Sequence, residues 1–231
     1  YSDFAVLYRS NHQSRAFEQR LKSFKIPYHV VGDQSFYERR EVRDAIAYLH
    51  AAFNRQHNLS VLRVMDVPPR GIGSKTIKQI RTMADQENIP VSDVLEDDDF
   101  LDSLGKAQTV AVRDFARRLN HHRKAFETPG DLRLKVTNYL NDMGYLEGIG
   151  RMYKPRADAE IRYENVMELI HSVHEMEKRH EGNILLSDFL QTVLLAEDYN
   201  RKKEEDEDRN MVTLLTVHAS KGLEFPFVFL V

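Results

Sequence analysis

Strand-like apolar runs stand only at the two ends of this chain. Near the start, FAVLY (Phe4 to Tyr8) and YHVV (Tyr28 to Val31) bracket a helix-period segment from about Gln13 to Lys25, with Phe17, Leu21 and Phe24 on one face. Near the end, an apolar run begins at Met211, the polar loop HASKGLE follows, and FPFVFLV runs to Val231. Between them the spacing is almost wholly helical, as in Val42, Ile46, Leu49 and Phe53, or Val110, Phe115, Leu119 and Phe126. Leu132, Val136 and Leu140 mark another helix, and Val166, Ile170 and Val173 a further one, with breaks at Pro68-Pro69, Pro90, Pro129-Gly130 and Pro155. A sheet whose strands are parted by so long a helical block predicts an α/β domain interrupted by a large all-helical insertion.

Composition excludes several classes. The 231 residues suffice for one large or two modest domains. There is no cysteine, which removes disulfides, thiolate metal sites and cysteine nucleophiles and suits a reducing cytosol. No charged leader precedes an apolar core, and no apolar run could span a bilayer, so a cytoplasmic protein without membrane contact is expected. The net charge of −3 is uneven: residues 1 to 83 hold fourteen Lys and Arg against seven Asp and Glu, an excess of +7 that leaves −10 for the remainder. A polyanionic partner would favour the first part, although solvated helix faces are often equally basic. The run from Asn200 to Asn210 has no apolar residue and reads as an exposed, mobile connector.

The nearest approach to a phosphate-cradling loop is GIGSKT, Gly71 to Thr76. It fails the ATPase pattern, because Ser74 stands directly before Lys75 and Pro69 stands where the earlier glycine is required. No acidic pair after an apolar strand offers a magnesium site; His121-His122 are adjacent and diverge on a helix, and His171/His174 lack a third ligand nearby. The chain alone is expected to bind neither ATP nor metal and to be inactive as an ATPase. The segment PPRGIGSKTIKQI permits two readings. Gly71 and Gly73 allow close backbone approach, Ser74 can cap a helix carrying Ile77 and Ile80, and exposed amides beside Arg70, Lys75 and Lys78 would form a phosphate nest. A tight helix-helix turn that needs glycine for packing explains the same residues. A second Gly-Ile-Gly, at 148 to 150, carries the same pair of readings.

The stretch VTLLTVHASKGLEFPFVFLV resembles motif V of the UvrD/Rep/PcrA-type superfamily 1 ATP-dependent DNA helicases, and DFAVLYRSNHQSR resembles their motif IV. GDQSFYERREVRDAIAYL, PPRGIGSKTIKQI and RYENVMELI follow in family order, so the resemblance covers nearly the whole chain and is weakest from Glu87 to Thr137. Asn54 to Asn58 departs from it, since an Asn-Pro turn with acidic residues is usual there. The resemblance implies a RecA-like parallel-sheet 2A domain at residues 1–102 and 208–231, truncated, with a helical 2B insertion at 103–207. Both ends read as cut. The implied parent enzyme couples hydrolysis of ATP with magnesium to 3' to 5' movement on single-stranded DNA and opens duplex junctions in DNA repair or replication. It would be completed by 1A and 1B domains and joined by repair or replication proteins.

By the same resemblance Arg9 touches the γ-phosphate as the catalytic residue, Tyr8 packs on the adenine, and Glu224, just beyond Gly222, lies at the nucleotide's sugar or phosphate side. His218 contacts the single-stranded DNA backbone with Ser220 and Lys221 as companions, and Arg70, Gly71, Gly73, Ser74 and Lys75 resemble the hairpin of helix-hairpin-helix DNA binders. On residue type alone, the favoured readings are a surface arginine paired with an acid for Arg9 and a satisfied histidine at a strand end for His218. A non-catalytic DNA-binding or protein-docking module built on the helical block remains the alternative.

Overall fold

The strand-like runs from the two ends of the chain join in one sheet. A computed structural model describes residues 1–9, 13–31, 36–128, 130–182, 184–204 and 210–231. Strands β1 (Phe4–Tyr8), β2 (Tyr28–Val31), β3 (Val212–Thr216) and β4 (Phe227–Leu230) lie in the order β2-β3-β1-β4, all neighbours parallel. β3 thus occupies the slot between β1 and β2, with Val6 and Val30 both opposite Leu214. The α/β class with a parallel sheet is what the sequence predicts.

The chain divides into two compact units, residues 1–39 with 193–231, and residues 40–192. In the first, alternation along the strands sends Val6, Tyr8, Val212 and Leu214 into one core with Tyr28. Helix α1 (Ser14–Ser23) adds Phe17 and Leu21, an i, i+4 pair, to that core. Phe24, expected on the same face, is exposed because the helix ends at Ser23 and Lys25 takes a left-handed φ of 57°. A 3-10 turn, Phe36–Glu38, closes the N-terminal part, with the Arg15 guanidinium 3.5 Å from the Phe36 ring centre.

The second unit holds α2 (Arg40–Phe53), α3 (Asn58–Val64), α4 (Ser74–Glu87), α5 (Val91–Val94), α6 (Asp98–Asp102), α7 (Lys106–Phe126), α8 (Leu132–Asp142), α9 (Tyr145–Met152) and α10 (Arg156–Arg179). Helix α11 (Leu186–Glu204) spans the division at Thr192. Helix α2 is the centre of this unit: Val42, Ala45, Tyr48 and Leu49 have no accessible surface. Tyrosines on the helices around it hold its backbone, Tyr139 of α8 donating to Tyr48 O at 3.1 Å and Tyr145 of α9 to Glu41 O at 2.6 Å. Arg123 of α7, buried, donates from Nε and Nη2 to Ala51 O at 3.1 and 2.9 Å, placing a cation at the negative end of α2. Residue 102, the expected domain boundary, closes α6 inside this unit. The boundary near 207 lies outside the described residues; of the expected connector, the backbone is helical through Glu204 and residues 205–209 are outside them. Among the described residues no helix is long and apolar enough to cross a membrane.

Candidate functional site

Each unit carries one group of candidate residues. In the sheet unit, parallel pairing brings the carboxyl ends of neighbouring strands to one edge. Tyr8, the last residue of β1, lies opposite Thr216, the last of β3. Arg9 leaves β1 at that edge, exposed, and the loop beginning with Val217 leaves β3 beside it. The loop is pinned: Val217 N–H donates to Tyr8 O at 3.0 Å, Ala219 N–H to Thr216 Oγ1 at 3.1 Å and Ser220 N–H to Thr216 O at 3.0 Å. Leu223 N–H then donates to Ser220 O at 3.0 Å, and Gly222 turns the chain with a φ of +89°, a conformation open to glycine.

His218 and Lys221 stand exposed on this turn. Ser220 Oγ donates to Val217 O at 2.8 Å, so its proton serves the loop itself. The loop next descends, because β4 starts at Phe227 opposite Phe4, at the other end of β1. Glu224, exposed, belongs to that descending part. The edge therefore gathers Arg9, His218, Ser220 and Lys221, while Glu224 lies further along the chain, between that loop and the start of β4. Tyr8 has no accessible surface, its ring belonging to the core with Val6 and Tyr28. Sequence reading passed over Gln13, whose Oε1 accepts the Arg9 N–H at 3.1 Å; an uncharged residue outside the apolar periodicity gives no signal of such a role.

In the helical unit, Gly71, Gly73, Ser74 and Lys75 form an exposed turn leading into α4. Gly71 has a φ of +84°, and nothing lies within 4 Å of where a Cβ would stand at Gly71 or Gly73. The cap differs from the expectation: Gly73, extended at φ −70°, is the N-cap, its carbonyl accepting from Ile77 N–H at 3.1 Å, and Ser74 is already the first helical residue. The first amides of α4 consequently lack intrahelical acceptors at a solvated turn.

Arg70 faces inward. Its Nη2 donates to Tyr48 Oη and, at 3.0 Å, to Val67 O, its Nε donates to Pro68 O at 3.3 Å, and its guanidinium carbon is 5.4 Å from the Phe115 ring centre. Burial holds the Tyr48 phenol well above its ordinary pKa despite the Arg70 charge, so it stays a neutral hydroxyl. The cations offered to solvent at the turn are those of Lys75 and, further along α4, Lys78 and Arg81. The second Gly-Ile-Gly is no turn: it lies inside α9, and a Cβ at Gly148 would meet Pro68 Cβ and Cγ at 2.6 Å. Among the described residues no three His, Cys, Asp or Glu side chains group to hold a metal ion.

The profile of the UvrD-like helicase C-terminal domain matches residues 1–231. The chain is 34% identical over 235 residues to the ATP-dependent DNA helicase PcrA of Staphylococcus epidermidis, an alignment covering 100% of the chain and 31% of that protein. It is 33% identical over 240 residues to the PcrA of Leuconostoc citreum, with 100% and 31% covered. For the PcrA of Staphylococcus aureus the identity is 33% over 235 residues, with 100% and 30% covered. The chain thus spans about 31% of the length of the curated relatives it matches.

Proposed function

Because the chain belongs to the UvrD-like helicase C-terminal domain family, we propose that it is the part of an ATP-driven DNA helicase that completes the nucleotide site and grips DNA. In this reading the sheet unit is the 2A domain, the helical residues form an insertion in it, and ATP with magnesium is held by another RecA-like domain of a longer protein that also carries 1A and 1B. The enzyme would move 3' to 5' on single-stranded DNA and open duplex junctions during repair or replication.

The bound nucleotide supplies the phosphoryl group; Arg9 supplies a planar, permanent positive charge for the oxygens that carry the developing negative charge. His218 and Lys221 would hold backbone phosphates of the single strand, and Ser220 would keep the loop in shape. Lys75 and the first amides of α4, reached past Gly71 and Gly73, would meet a duplex phosphate. Tyr8 is given a packing role, and Glu224 a contact to the nucleotide's sugar side that is secondary to Arg9. One observation carries the reading: Arg9 and the His218 loop leave adjacent strands at the same sheet edge, joined by the Val217 N–H bond to Tyr8 O at 3.0 Å. A displacement of Arg9 when nucleotide binds or leaves would pass to the DNA-gripping loop through that bond.

Arg9→Ala in the full-length protein tests this. DNA-stimulated ATP hydrolysis should slow by about three orders of magnitude or more, as on loss of an arginine that stabilises phosphoryl transfer, with the fold intact by circular dichroism. Hydrolysis within a few-fold of wild type would make Arg9 an ordinary surface residue.

A further inference from the structure

The turn that leads into α4 contains two glycines, and a backbone built on glycine is free to sample many conformations unless something outside it intervenes. Neither Gly71 nor Gly73 has a neighbour within 4 Å of where a Cβ would stand. The turn is held from its other residues instead. Downstream it enters α4, and between the two glycines Ile72 has no accessible surface. Upstream, Arg70 folds back on the segment that leaves α3. Its backbone N–H donates to Asp66 Oδ1 at 3.0 Å, its Nε to Pro68 O at 3.3 Å and its Nη2 to Val67 O at 3.0 Å. The same Nη2 donates to Tyr48 Oη, and Tyr48, a residue of α2 without accessible surface, donates its own proton to Val67 O. Residues 66–70 are thereby clamped against the central helix of the unit, directly before Gly71 turns at its φ of +84°.

We propose that Arg70 and Tyr48 are positioning residues for duplex binding, a clamp that presents the Gly71 to Lys75 turn in the conformation that meets a phosphate. The inference rests on the duplex contact assigned above to Lys75 and the first amides of α4. Arginine suits the task because its planar fork reaches two carbonyls and a hydroxyl together, which a lysine ammonium on a flexible stem does not. Its donors serve the protein, so its part in binding is orientation and not a phosphate contact. A loosened clamp leaves fewer molecules with the turn in its binding conformation. Affinity falls by that fraction, while the number of phosphates met in the complex stays the same.

The experiment uses the full-length protein with Arg70→Lys, which keeps the charge and loses the fork, and Tyr48→Phe, which removes a buried hydroxyl that DNA cannot reach. Anisotropy with a fluorescein-labelled DNA duplex should show affinity lowered about ten-fold in each, as when about a tenth of the molecules remain competent. The slope of log affinity against log salt should match wild type, because no phosphate contact is lost. Affinity for the matching single strand should stay within about two-fold, since the His218 loop is untouched. Amide exchange at residues 71 to 75, read by fragmentation mass spectrometry, should quicken in both variants while α2 and α3 keep wild-type protection. Wild-type duplex affinity in either variant overturns the proposal, as does a lowered slope in Arg70→Lys, which would make Arg70 a phosphate contact. Equal losses on duplex and single strand, or exchange that quickens throughout α2 and α3, would leave the clamp a role in stability alone and overturn it too. Lys75→Ala in parallel keeps the two assignments apart. A wild-type slope there overturns the duplex contact of the turn, while exchange at residues 71 to 75 judges the clamp by itself.

Discussion

Gly148 and Gly150 look alike in the sequence, yet only one is constrained by its surroundings. A Cβ at Gly148 would stand 2.6 Å from two atoms of the Pro68 ring, whereas nothing lies within 4 Å of one at Gly150. A proline ring is no flexible side-chain end that could swing aside, so Gly148→Ala must push α9 away from Pro68. The expected cost is about 1–3 kcal/mol, that of overpacking a filled core. Gly150→Ala, in a helix interior with open space, should stabilise by about 0.5–1 kcal/mol through helix propensity. Urea unfolding of both variants checks this, and equal midpoints would show that Pro68 yields. The pair shows what a sequence withholds at this scale: a motif names the residues, while the neighbour that makes one of them necessary comes from another stretch of chain. The same holds for Arg70, a surface cation by composition that the structure turns toward Tyr48.

At the scale of elements, apolar spacing predicted the strands and most helices, because burial follows periodicity closely. It misled where one residue slips off the stripe. Val110 seems to begin the α7 stripe but is 69% exposed, and the buried face runs instead through Val112, Phe115, Leu119 and His122. A histidine in that stripe has consequences for stability. His122 is 7% exposed, with Nε2 3.0 Å from Asp142 Oδ2 at the end of α8. Burial lowers its pKa, and the pull of Asp142 in the other direction does not outweigh it. Folded His122 thus holds a proton less readily than the unfolded chain does, so its contribution is intact above the ordinary histidine pKa of about 6.5 and is lost as pH falls below it. His122→Phe should flatten that loss: between about pH 7.5 and pH 5.5, a window spanning the ordinary histidine value, the urea midpoint of wild type should fall further than that of the variant. Parallel pH profiles would assign the dependence to other groups.

At the scale of the whole molecule, the +7 excess of residues 1–83 against −10 elsewhere predicts DNA binding that is weak, made through phosphates and strongly salt-dependent. Anisotropy titrations of the chain with duplex DNA should show log affinity falling linearly with log salt. Lys75→Ala should reduce that slope by about one, as loss of a single phosphate contact does. An unchanged slope would move the duplex surface away from α4. The sheet carries a different consequence. β1 and β2, which precede the helical unit in the sequence, do not touch each other; the place between them is filled by β3, and the outer side of β1 by β4. On a ribosome, then, β1 and β2 emerge before β3 and β4, the strands they pair with in this sheet, and those pairings wait until residues 212–230 have been translated. Helices α2 to α10 need no such wait, since their contacts are with one another. Translation therefore imposes an order in which the helical unit can be native before β1 meets β3 and β4, so that Phe4, Val6 and Tyr8 lack these neighbours until residues 212–230 leave the exit tunnel.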